Sequence, residues 1–238
     1  MMKELSELLM PRECLVCGRK LGSHEQHLCI WCAADVPQTF YWERTHNPMA
    51  DEFNAILERQ RRPGVSMRYA WASALLFYHH ENPYKMIPRA VKYCHNLSAG
   101  QFFAQQLGRK MAAFPHWADV DTVIPVPLHW TRQWRRGYNQ AEVIAACLAR
   151  ALGARLRTDI LYRSRSTHTQ TRLDAEDRLK NVMGVFRVRK RPLHAAHVLV
   201  VDDTFTTGAT LAACYMALRQ ALGPEVRISV TTLSVVEA

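Results

Sequence analysis

Asp202 and Asp203 stand side by side after four apolar residues, Val198 to Val201. They precede a run of small and hydroxyl-bearing residues that includes Thr204, Thr206, Thr207, Gly208, Ala209 and Thr210. Adjacent carboxylates can accept hydrogen bonds from sugar hydroxyls and offer oxygens to Mg2+, a hard cation. The turn that follows can aim backbone N–H groups and Thr hydroxyls at a phosphate, with the positive end of a helix behind it. Gly208 has no Cβ, so backbone and anion can come close. A phosphate on one side and two acids on the other describe a ribose 5-phosphate between them. An ordinary strand-to-helix turn with a Thr cap fits the same residues.

A second constellation is Cys14-x2-Cys17-x11-Cys29-x2-Cys32. Doubled C-x2-C pairs can present four thiolates tetrahedrally to Zn2+, and Gly18 allows the tight turn such a knuckle needs. Four protein ligands close the site, so this Zn2+ would fold the segment and not catalyse. A redox role for one C-x2-C is the alternative. His24 and His27 lie between the pairs as substitute ligands. Cys94, Cys147 and Cys214 are scattered and suit core positions.

These groups need elements to position them. Four apolar residues in a row predict a strand covered on both faces, as in a parallel α/β sheet, where ligands bind beyond the carboxyl ends. Asp121 to Pro127 predicts a neighbouring buried strand. The loop after it offers His129, Arg132, Arg135 and Arg136 as phosphate donors. Trp130, Trp134 and Tyr138 can stack a base or pack under a lid. Asn139 is placed to cap a helix over Ala141–Leu152. Earlier in the chain, helices are expected near Asp51–Arg61, Pro83–Tyr93 and Ala99–Phe114, with strand character over Tyr69–His80. Lys92, at a helix end, can reach a phosphate or stay solvated. Later segments predict a strand at Thr158–Tyr162 and a polar, flap-like loop over Arg163–Asp174. A short helix at Asp174–Asn181, a strand at Val182–Val188 and a closing strand at Val226–Val236 follow. Strands alternating with helices imply parallel crossovers. Residues 1–42 are expected to form an N-terminal helix and zinc ribbon, and residues 43–238 an α/β domain with its core over 119–238.

The chain has 238 residues and a net charge of +10. Between Arg132 and Arg191 there are 15 Lys and Arg against 5 Asp and Glu. A concentrated basic stripe attracts polyanions, whether a pyrophosphate-bearing substrate or a nucleic acid strand; it is otherwise a solvated face. No apolar run is long enough to span a bilayer as a helix, and the first ten residues lack a secretory layout. The expected location is the cytoplasm.

The Asp202 block resembles the phosphoribosyl-pyrophosphate (PRPP) motif of type I phosphoribosyltransferases. The acidic residue that some purine-using members carry at the position of Thr206 is absent. More widely, the chain resembles the ComF family, which includes the proteins called GntX. The likeness rests on the four-cysteine ribbon and on Pro125-Val-Pro-Leu-His129 with Arg136-Gly-Tyr-Asn-Gln140. It also rests on Arg163-x-Arg165-x-Thr167-x-x-Gln170, on Arg178-x-x-Asn181-Val182 with Phe186, and on Asp202-Asp203. The resemblance implies a type I phosphoribosyltransferase-like sheet behind a zinc ribbon. It implies PRPP with Mg2+ as ligand, ribose hydroxyls on Asp202 and Asp203, and a 5-phosphate on Thr204 to Thr210. A pyrophosphate loop would include His129, Arg132 and Arg136, and a flexible flap Arg163, Arg165, Thr167 and Gln170. The family is linked to competence and DNA use. The localised charge gives the alternative function, a non-catalytic competence factor that binds single-stranded DNA or a helicase partner through its basic stripe and zinc ribbon.

Overall fold

The computed structural model describes residues 12–61, 67–93, 96–128, 137–164 and 184–236. The expected helices at the N-terminus and at Asp174–Asn181 lie outside them. So do His129, Arg132, Arg136, Arg165, Thr167 and Gln170.

A five-stranded sheet organises the chain. Its strands are β1 (Ala72–Tyr78), β2 (Thr122–Pro125), β3 (Arg155–Leu156), β6 (His197–Phe205) and β7 (Arg227–Val236). All neighbours are parallel, in the order β1-β7-β6-β2-β3. Two short strands, β4 (Leu161–Arg163) and β5 (Phe186–Val188), pair antiparallel as a separate ribbon. The parallel sheet flanked by helices that the resemblance implies is present.

The Val198–Val201 run is covered on both faces, as four consecutive apolar residues require. Val198 and Val200 join a core built with helices α2 (Pro48–Arg59) and α6 (Ala209–Leu222). Leu199 and Val201 join the opposite core, built with α3 (Met86–Tyr93), α4 (Leu97–Ala112) and α5 (Gln140–Leu152). That second core also takes in Cys14, Leu21, Leu28 and Cys29 from the cysteine segment, which includes the short helix Ile30–Ala34 (α1).

Two expectations change. Val226–Val236 does not close the sheet: β7 is an interior strand, and β1 lies outside it at the edge. The free side of β1 is covered by Pro37–Thr39, whose backbone bonds to Leu75 and Phe77, which protects an otherwise templating edge. The expected strand near Thr158–Tyr162 is displaced to Leu161–Arg163 and belongs to the ribbon, not the sheet. The sheet's own edge is Arg155–Leu156, two exposed residues that carry no apolar pattern.

Helix ends follow local chemistry. Asn47 and Asn139 accept N–H bonds from Ala50 and Ala141, so α2 and α5 each start on an Asn cap. Pro48 occupies the first turn of α2, where its missing N–H costs nothing, so that helix starts three residues before the expected Asp51.

Candidate functional site

Strand β6 outruns its neighbour on one side. On the β2 side, pairing stops at Pro125 opposite Val201. On the β7 side it continues through Asp202 opposite Thr232, Thr204 opposite Ser234 and Phe205 opposite Val235. The acids therefore lie within the strand and not after it, with one backbone edge free of β2. The chain order also reverses there: β2 leads through α5 to β3 on one side, while β6 lies on the other. Crevices at such switch points, beyond the strand ends, are where open α/β sheets bind ligands.

Alternation along β6 sends the two carboxylates to opposite faces. Asp202 lines a small hollow with Thr204 and the turn Thr206 to Thr210. Asp203 is not among the residues lining that hollow. Its carboxylate pairs with Lys92, whose Nζ lies 3.4 Å from both oxygens. The Asp203 N–H donates to Asp202 Oδ1 at 2.8 Å. Burial and the neighbouring Asp203 charge push the Asp202 carboxyl up to about 7. The Asp203 N–H, Lys92 and Arg163 oppose that rise. Arg163, at the end of β4, has its guanidinium 5.5 Å over the Phe186 ring.

The turn closes the hollow. Gly208 has φ +64° and stands at the N-cap of α6, with no side-chain cap. The first N–H groups of the helix thus face the hollow without a competing side chain. Gly208 is required on steric grounds too. A Cβ there would stand 2.8 Å from both Phe205 Cζ and Ile56 Cδ1.

The segment after β2 ties the site to α3. Tyr138 donates its hydroxyl to the Val91 carbonyl at 2.7 Å, and Gln140 Nε2 donates to the Lys92 carbonyl at 3.2 Å. Between them, Asn139 caps α5 and donates to the Val126 carbonyl at 3.0 Å. Tyr138 therefore serves as a hydrogen-bonded brace. Sequence reasoning missed this role for Tyr138 and Gln140 and left Lys92 undecided. The only local signal was the capping Asn between them.

The four cysteines come together. The sulfurs of Cys14, Cys17, Cys29 and Cys32 all lie within 4.8 Å of one another, with Cys17 and Cys29 at 3.7 Å. An ion held tetrahedrally at about 2.3 Å from each sulfur needs S···S distances of about 3.8 Å, so the donor set fits. The knuckle turn is as expected: Gly18, at φ +70°, donates its N–H to the Cys14 carbonyl. His27 is no ligand here. Its Nε2 lies 2.9 Å from Ser98 Oγ and its ring packs on Phe102. Cys147 and Cys214 are buried singly, as expected.

No protein-family model matches the chain. Competence protein F of Haemophilus influenzae is 42% identical over 107 residues, 44% of this chain and 46% of that protein. DNA utilization protein YhgH of Escherichia coli K12 is 38% identical over 92 residues, 39% of this chain and 40% of that protein. Over those stretches the chain is homologous to these competence and DNA-utilization proteins. Competence protein ComFC of Bacillus subtilis is 29% identical over 96 residues, 37% of this chain and 34% of that protein. The chain thus spans less than half the length of the curated relatives it matches. Among solved structures, a hypoxanthine phosphoribosyltransferase from Staphylococcus aureus gives a TM-score of 0.33 at 16% identity, over 58% of this chain and 64% of that one. Orotate phosphoribosyltransferase from Aeropyrum pernix also gives 0.33 at 16%, over 76% and 80%. Likenesses at this level add nothing to the strand order described above. Among the described residues, no helix is long and apolar enough to cross a membrane.

Proposed function

We propose that the chain binds PRPP, or a related ribose 5-phosphate, at the carboxyl end of β6, and that it serves the use of incoming DNA. One observation carries the ligand reading: Asp202 and the uncapped turn Thr206–Thr210 line one hollow where β6 projects beyond β2. The 5-phosphate would accept N–H bonds from the turn, with Gly208 and Thr210 at its closest approach. The ribose hydroxyls would donate to Asp202 and, across the strand, to Asp203. Mg2+ arriving with PRPP would take oxygens from the ligand and from the Asp202 carboxylate that lines the hollow. The arginines after β2 and in the 163–172 segment would meet the pyrophosphate. In the enzyme form of this reading, a nitrogen nucleophile attacks C1 of the ribose as its bond to pyrophosphate breaks. Positioning and charge stabilisation then supply most of the rate. The cysteine knuckle would hold Zn2+ with a purely structural role.

Calorimetry with PRPP and Mg2+ tests the reading. Wild type should bind, and Asp202→Asn with Asp203→Asn should weaken binding at least about tenfold, the loss expected for charge-assisted hydrogen bonds. No heat from wild type at millimolar PRPP overturns it.

A second reading is a non-catalytic competence factor that holds single-stranded DNA or a helicase partner; the relatives' names support the link to competence and DNA utilization, and the basic stripe supports the polyanion. Arg155, Arg157, Arg187, Arg189, Lys190 and Arg191 supply described cations in the basic stripe. Phosphate contacts must give affinity that falls steeply with salt. A flat response removes this reading.

A further inference from the structure

We propose that Lys92 is a positioning residue of the Asp202–Thr210 site, and that the cysteine knuckle sets its place through α3. For its ligand the inference rests on the reading above; for its mechanics it rests on the contacts alone.

Helix α3 has eight residues, too few to be stable by itself in water. Its place is therefore decided by what grips it. At its start, the Tyr84 side chain is 5% exposed and donates its hydroxyl to the carbonyl of Cys32 at 2.9 Å. Asp35 Oδ2 lies 3.4 Å from the same hydroxyl. Along its length, Ile87 and Val91 are buried in the same cluster as Cys14 and Cys29. At its end, Tyr138 and Gln140 hold the Val91 and Lys92 carbonyls. These grips place the Lys92 ammonium over Asp203.

The knuckle and the acid pair thus lie at two ends of one short rod. An ammonium is a compact point charge, and here it offsets one of two adjacent carboxylates on β6. The pair is only partly open to water, with Lys92 at 33% and Asp203 at 15% exposure, so its interaction is less screened than on an open surface. If the cysteines lose their ion, the Cys32 carbonyl loses its fixed position, and Tyr84 loses the anchor that orients α3. Lys92 would then lie less well over Asp203. The knuckle, on this account, acts on the site without touching it.

Three measurements on the full chain test the link. In hydrogen–deuterium exchange, stripping the metal with a chelator should speed exchange of the 86–93 amides by about tenfold or more, and adding Zn2+ back should restore protection. A double-mutant cycle between Lys92→Met and Asp203→Asn, read by denaturant unfolding, should give a coupling that shrinks in the Tyr84→Phe background. In calorimetry with PRPP and Mg2+, Lys92→Met should weaken binding about tenfold, whereas Lys92→Arg, which keeps the cation, should stay within about threefold. Unchanged protection of 86–93 after metal removal overturns the proposal, as does an Arg variant no better than Met. If Tyr84→Phe fails to fold, metal stripping and restoration still decide. Wild type that fails to bind PRPP ends the ligand reading, while exchange and the cycle continue to test this one.

Discussion

The Phe205 ring lies against the bare backbone of Gly208, so close that a Cβ there would stand 2.8 Å from Cζ. The ring belongs to the core shared with α2 and α6 and cannot swing away cheaply. Gly208→Ala therefore adds a steric clash to a left-handed backbone, which itself costs a non-glycine residue about 1–2 kcal/mol. Unfolding in urea should show a loss of roughly 2–4 kcal/mol with an unchanged slope. PRPP binding should fall with it.

The acid pair should give the site a pH dependence. Asp202 is raised to about 7, so its contribution to stability is fully present below the ordinary carboxylate value of 3.8 and is lost as pH rises through about 7. Ligand binding that needs the ionised form runs the other way. Affinity for PRPP with Mg2+ should strengthen about tenfold between pH 6 and pH 8, with protons released to buffer. Calorimetry in buffers of different ionisation heat reads both. Asp202→Asn should flatten the profile; Lys92 and Arg163, which oppose the rise, should move it upward when neutralised.

At the other end of β6 a buried histidine should set acid stability. His197 is fully buried, with Nδ1 2.7 Å from Asp119 and Nε2 2.8 Å from Ser229 Oγ. The carboxylate makes Nδ1 the N–H donor, so Nε2 accepts from the serine. Burial holds His197 below its ordinary value of 6.5 despite Asp119. A depressed group contributes stability above its unfolded value and loses it as pH falls through the folded one. The share of stability that His197 supplies should therefore shrink below about pH 6.5, read as a narrowing gap in midpoint between wild type and His197→Phe. Ser229→Ala leaves Nε2 unpaired and should cost about 1–3 kcal/mol, with PRPP affinity unchanged.

Metal removal should loosen one face of the sheet. Cys14 and Cys29 share a cluster with Phe103 and Leu107 of α4 and with Leu75 of β1. Chelation, or Cys17→Ser at the most open ligand position, should lower Tm by roughly 5–10 °C. Equal melting of metal-free and Zn2+-loaded protein would contradict this.

The features most legible in the sequence were those written in contiguous residues. Cys14 to Cys32 announced a four-thiol knuckle, and Val198 to Thr210 announced a strand, a turn and a helix. Where local pattern and tertiary pairing compete, the reading failed. Asp202 to Thr204 look like a strand's end because they are polar, yet β7 pairs with them through Val235. Arg155 and Leu156 form the sheet edge with no alternation to betray it. Lys92 was undecidable because its partner lies 111 residues away. Tyr138 reads in the sequence as a stacking or packing ring, whereas its hydroxyl is what grips the Val91 carbonyl. The arginine loop from His129 to Arg136 and the flap beyond Ser164 carry the strongest charge signal and lie outside the described residues, so their part in the site stands as a proposal.

The common core under the knuckle has a practical corollary. Leu28 and Cys29 sit in one cluster with Phe103, Leu107 and Val123, and His27 caps that seam against Ser98 and Phe102. A version of the chain begun at residue 43 would bare those aromatic and aliphatic side chains to water. Such a truncation should come out of cells as inclusion bodies or chaperone-bound material, and not as a smaller working protein.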